Sequence, residues 1–206
     1  MAAFEDGELM ENTLPMAKSV DEVVERELHQ FWLAPGERLI IGCPPAHGHT
    51  ALSLDGKLSL PYVASRETPV VTGKPRWPLP ADDVLEDDWT DDPTIAHLVV
   101  ARSPDQIAVR IADHLAGGRG EARLTLSDRR LAVVYPARLL EGEDPAQPFR
   151  TFDEMPSAVV RSVSALYLGR SFPPRPVLQF AFADGSFVFQ RDMLAVTKAA
   201  RAHSRL

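Results

Sequence analysis

The sequence predicts an α+β fold, and three observations carry that prediction. Apolar residues recur at helical spacing near both ends of the chain, over residues 19–32 and 191–206. Between them lie short alternating or β-branched runs, most of them bounded by Gly, Pro or Asp-Gly. The composition, 45% apolar and 25% charged over 206 residues, is that of a globular chain able to build one sizeable core.

Residues 1–18 are acidic and lack apolar periodicity, so they are expected to form a flexible acidic arm ahead of a single domain spanning 19–206. Ser19 and Glu22 have capping-box spacing, and Val20, Val23, Val24, Leu28, Phe31 and Trp32 then mark a helix up to Pro35-Gly36. Residues 37–43 read as a strand that stops at Pro44-Pro45. Leu52, Leu54, Leu58 and Leu60 alternate with polar residues around Asp55-Gly56, a dipeptide that tolerates the positive φ of a type I′ turn, so a hairpin is expected there. Residues 63–94 are rich in proline and acids and read as mostly loop, followed by a buried strand over 95–101. Ser103-Pro104 and Gly117-Gly118 bracket a helix carrying Ile107, Val109, Ile111, Ala112 and Leu115. Residues 122–126 and 131–135 are alternating runs joined by Ser127-Asp128-Arg129-Arg130, and 159–168 is a longer one. Residues 177–183 meet 187–189 across Asp184-Gly185, with Leu178, Phe180 and Phe182 sharing a core face. The terminal helix is amphipathic, and Met193, Val196 and Ala200 are its expected inward positions.

Three of these pieces resemble the bacterial PH-like family, relatives of pleckstrin-homology and GRAM domains. Residues 124–134 (LTLSDRRLAVV) look like that family's turn between two core strands. Residues 180–185 (FAFADG) with Phe187 and Phe189 are similar to its later hairpin, and residues 35–39 (PGERL) to its opening. Together they cover about half of the chain. The resemblance implies a strongly bent antiparallel sheet closed by the C-terminal helix, here with an N-terminal helix and a long helix-containing insertion at about 64–120. It also implies an adaptor role.

A net charge of −7 argues against general nucleic-acid affinity, because such binding scales with clustered Lys and Arg. The charge is uneven: residues 1–103 hold 18 acids against 8 bases, and residues 104–206 hold 11 against 14. Asp82, Asp83, Glu86, Asp87, Asp88, Asp91 and Asp92 read as a solvated loop that can also fold over the basic C-terminal half of its own chain. A single cysteine, an acidic N-terminus and the lack of a long apolar run predict a cytoplasmic location.

Phosphate-loop, dinucleotide, nucleophile-elbow and His-Glu-x-x-His signatures are missing from the sequence, so a non-catalytic module without cofactor is expected. The favoured function is binding of a protein partner, with the adjacent aromatics Phe31 and Trp32 as one candidate contact. A first alternative is peripheral binding to anionic lipid. Lys198, Arg201 and Arg205 fall on one helix face and Arg129 and Arg130 on a turn, and each such cation near a membrane surface contributes about 1 kcal/mol. A second is a small metal-dependent enzyme, since Cys43, His47 and His49 place three possible ligands within seven residues.

Overall fold

Turn chemistry and capping set much of the architecture. The computed structural model describes residues 5–72, 77–140 and 148–205, with residues 5–15 given by backbone alone. Strands β1 (Leu39–Gly42), β2 (His49–Leu54) and β3 (Lys57–Ser59) follow helix α1 (Glu5–Phe31). Asp55 and Gly56 take φ of 50° and 76°, the left-handed pair that the tight β2–β3 turn demands. Strand β4 (Ile95–Ala101) and helix α2 (Ile107–Gly117) come next, then β5 (Arg123–Ser127), β6 (Arg130–Pro136), β7 (Phe149–Pro156) and β8 (Val160–Leu168). The chain ends in the hairpin β9 (Arg175–Phe182) and β10 (Phe187–Arg191) and the helix α3 (Ala195–His203).

The strands form two mostly antiparallel sheets, in the orders β1-β5-β6-β7 and β3-β2-β4-β10-β9-β8. Among the described residues, only β2 and β4 pair in parallel. Ile41, Leu124, Leu126, Leu131, Val133 and Tyr135 from the smaller sheet share one core with Leu52, Val99, Leu178, Phe180, Phe182 and Val188 from the larger. Burying each such side chain contributes about 1.5–3 kcal/mol, so the sheets hold each other face to face. Leu178, Phe180 and Phe182 are all within this core, as their alternation predicts. On the outer side of the smaller sheet, Val24 and Leu28 of α1 and Trp32 just after it pack on Ala132 and Val134. On the outer side of the larger, Trp89 packs among Ala51, Ile95, Leu98 and Val177.

Several expectations are corrected. Helix α1 starts at Glu5, so Ser19 lies inside it and the expected flexible arm is helical over residues 5–18; residues 1–4 lie outside the described residues. The physical reason is composition: Glu, Leu, Met and Ala before Ser19 favour helix without any apolar stripe. The expected single bent sheet is two sheets. Residues 95–117 are no insertion, because β4 lies between β2 and β10 and α2 contributes Ala108, Ile111, Ala112 and Leu115 to the shared core. Helix α2 begins three residues after Pro104, where the β9–β10 turn supplies its cap. Asp184 Oδ2 accepts the Ile107 N–H at 2.6 Å and Ser186 Oγ accepts the Ala108 N–H at 3.2 Å. Helix α3 is rotated from the expected face: Ala195, Lys198 and Ala202 point inward while Val196 and Ala200 are exposed. Among the described residues, no helix is long and apolar enough to cross a membrane.

Candidate interaction surface

The Cys43, His47 and His49 group does not converge. Cys43 directly follows β1 and is fully buried in the core, its N–H donating to Leu124 O at 3.0 Å, and burial pushes its thiol pKa up. His47 stacks on Trp77, with ring centroids 6.1 Å apart, and His49 meets the same ring edge-on while Nε2 lies 2.9 Å from Pro78 O. Both imidazoles thus lie against one indole. Among the described residues no three His, Cys, Asp or Glu side chains gather as a metal site requires.

The basic face expected on α3 is turned to α1 and neutralised there. Lys198 is 1% exposed, with Nζ donating at 2.6 Å both to Asp21 Oδ1 of α1 and to Asp192 Oδ2. Burial works against its charge, and the two carboxylates outweigh that and hold its pKa above the usual value. Arg201 makes a two-pronged pair with Glu25, and Arg205 donates to Leu39 O at 2.7 Å. Of the five cations the membrane reading used, these three are committed to internal partners.

Arg130 is committed as well. Its Nε and a terminal nitrogen grip Glu37 at 2.9 and 3.1 Å, another donates to Glu154 at 2.6 Å, and the guanidinium lies 4.3 Å from the Trp32 ring centroid. Burial disfavours the Glu37 charge, but hydrogen bonds from Arg130, Ser127 and the Ala34 N–H hold its pKa below the usual carboxylate value. Trp32 is therefore covered, its indole N–H donating to Thr151 Oγ1 at 2.9 Å, whereas Phe31 beside it is 51% exposed. Arg129 remains exposed at the mouth of a shallow pocket of about 350 Å³ whose lining includes Glu37, Arg130 and Glu154. Of the predicted contact residues, Phe31 and Arg129 are the two that face solvent without a role in the packing.

The surface that sequence reading missed lies between β3 and residues 79–86. A groove of about 560 Å³ runs there, with Leu58, Leu60, Leu79, Val84 and Leu85 as its apolar wall. Leu79 and Leu85 are 76% and 59% exposed, unusual for leucines that share one concavity. Asp82 and Glu86 line it and Asp83 lines the adjoining hollow, none with an ion-pair or hydrogen-bond partner among the described residues. Strand β3, which forms one wall, pairs only with β2 and is an edge of its sheet. Sharing Leu79, Ala81 and Val84, a second hollow continues to Asp83, Asp88, Asp91, Asp92 and Arg170.

That second hollow already holds a cation. Arg170, from the β8–β9 connection, places a terminal nitrogen 2.7 Å from Asp88 Oδ2. Asp91 accepts the N–H groups of Arg170 at 2.7 Å and Ser171 at 3.2 Å, which hold its pKa below the usual value. The acidic loop does fold onto the C-terminal half, through Asp88 and Asp91, while Asp92 accepts the N–H groups of Ala81 at 2.9 Å and Thr94 at 2.8 Å within its own segment.

A different polar group is sealed inside. His97 pairs in register with Thr50 and Gln190 across three adjacent strands. Among the described residues, neither its ring nitrogens nor Thr50 Oγ1 nor Gln190 Nε2 has a hydrogen-bond partner. Burial pushes the His97 pKa down to about 4, with Arg191 adding to the shift, so the ring is neutral near pH 7.

No protein-family model, no curated protein and no solved structure matches this chain. The two sheets, the helices and the acid-rimmed groove therefore stand on their own physical description.

Proposed function

We propose that the chain is a non-catalytic, PH-like interaction module that binds a protein partner. The observation that carries this reading is the groove between β3 and residues 79–86, where exposed leucines line a concavity with unpaired carboxylates on its rim. Partner surfaces combine such an apolar centre with a polar rim. The PH-like part of the reading is supported by where the resembling segments fall: on the turn that leads into β1, on the β5–β6 pair and on the β9–β10 hairpin. Helix α3 also lies against β1 of one sheet and β8 and β9 of the other. The anionic-lipid alternative loses its main support, because Lys198, Arg201, Arg205 and Arg130 are engaged inside the chain.

Comparative affinity purification from the native cell tests the proposal. The chain and its Leu79→Ser, Leu85→Ser double variant are recovered in parallel and their co-purifying proteins quantified. A stoichiometric partner present with the first and depleted with the second is expected. Equal recovery of every protein with both forms contradicts it.

A further inference from the structure

We propose that the groove beside β3 receives an extended peptide segment of the partner, one that carries Lys or Arg next to apolar side chains. This rests on the interaction reading above and specifies its ligand. The apolar wall of Leu58, Leu60, Leu79, Val84 and Leu85 sets one half of the chemistry, since these side chains stay in contact with water until something apolar covers them. The rim sets the other. Asp82 and Glu86 on the groove and Asp83 on the adjoining hollow bring three negative charges to this surface, with no cation of the chain engaging them among the described residues. An acidic or neutral ligand would leave them uncompensated.

The chain itself displays the recognition in miniature. One step along the same surface, Arg170 sits in the continuing hollow with its guanidinium on Asp88 and its backbone N–H on Asp91. A cation held by side-chain charge, on a backbone held by hydrogen bonding to a carboxylate, is the mode that the empty stretch of rim can repeat for a partner's Arg or Lys. An extended conformation fits the site's length and openness. The wall runs along β3 and its continuation from Gly56 to Pro61, and is faced by a loop that contributes both leucines and acids. A linear segment can therefore set apolar side chains on the leucines and cationic ones on the rim.

Fluorescence anisotropy with three labelled synthetic peptides on the full chain decides the matter: one alternating Arg and Leu, one Arg and Ser, one Glu and Leu. Saturable binding of the Arg/Leu peptide alone is expected, weakened by salt. Its affinity should fall about tenfold or more in the Leu79→Ser, Leu85→Ser variant and also in a variant combining Asp82→Asn, Asp83→Asn and Glu86→Gln. Both variants should keep the parent melting temperature, because the changed side chains lie on the surface. Equal binding of the Arg/Ser peptide overturns the proposal, as does equal affinity in the neutralised-rim variant or no binding of any peptide. Sedimentation of the chain alone provides a further check: a dimer that disappears on Leu85→Ser makes a second copy the occupant and also overturns it. If no Arg/Leu binding occurs while the comparative purification still yields a groove-dependent partner, the ligand chemistry falls and the interaction reading stands. If that purification yields none, the reading itself falls.

Discussion

Replacing Lys198 with Met tests the element that most changed the meaning of the C-terminal helix. The ammonium is 1% exposed and its two partners 8% and 3%, each bonded at 2.6 Å, so the change leaves Asp21 and Asp192 buried without their cation. Removing one member of a buried ion pair costs about 3–5 kcal/mol, against about 0–1 kcal/mol for an exposed one. The loss should also depend on pH. Burial raises the Asp21 pKa to about 6 from 3.8, in spite of Lys198. A carboxyl whose folded pKa lies above its unfolded value contributes stability in full below 3.8 and loses it as pH rises through about 6. That contribution is worth about 3 kcal/mol. Without Lys198 the Asp21 pKa rises further, and protonation relieves the variant. Urea unfolding followed by circular dichroism should show a deficit of about 3–5 kcal/mol near pH 7.5 that shrinks towards pH 5. A deficit below about 1 kcal/mol, or one equal at both pH values, refutes the buried triad.

The neighbouring arginines of the β5–β6 turn should separate sharply. Arg130→Ala leaves Glu37 with a buried, unpaired charge and uncovers Trp32, which is expected to cost about 2–4 kcal/mol in urea unfolding, while Arg129→Ala should stay within about 0.5 kcal/mol of the parent. His97→Leu is expected to be nearly neutral near pH 7, because it removes a buried ring without partners. Its effect should appear in acid. A His whose folded pKa is depressed contributes stability above 6.5 and loses it as pH falls towards about 4, so the parent should lose about 3 kcal/mol over that range that the variant retains. Parallel pH profiles for the two would contradict this. Asp184→Ala removes the cap that the β9–β10 turn lends to α2 and should lower thermal stability by about 1–2 kcal/mol, with earlier hydrogen exchange in residues 107–110.

The parts of the fold that were legible in the sequence are those governed by local chemistry. Asp55-Gly56 and Asp184-Gly185 announce their hairpins because few other dipeptides accept those backbone angles. Leu178, Phe180 and Phe182 announce their core face by simple alternation. Strand β7 carries no such signal: it lies at the edge of its sheet and only Met155 of its eight residues is buried, so no alternating apolar face marks it and Phe149 and Phe152 look like loop residues. The phase of helix α3 is hidden in the sequence because a lysine occupies an inward position, which hydropathy assigns to solvent and which Asp192 together with Asp21, far away in sequence, makes tolerable. The same distance hides the groove. Leu58 and Leu60 sit about 20 residues before Leu79 and Leu85, and the acids between the latter make the segment look wholly solvated. The only trace of it in the sequence is the presence of three apolar residues, Leu79, Val84 and Leu85, in an otherwise acidic, proline-containing loop.

The central claim, that this groove is where a protein partner docks, is tested most directly by site-specific photo-crosslinking in the native cell. A benzophenone amino acid replaces Leu85 in one form of the chain and Arg161, exposed on β8 at the opposite edge of the same sheet, in another. A discrete cross-linked protein from position 85, not seen from position 161 and lost when the rim acids are neutralised, is the expected result. The same products from both positions, or none from position 85, would contradict the account.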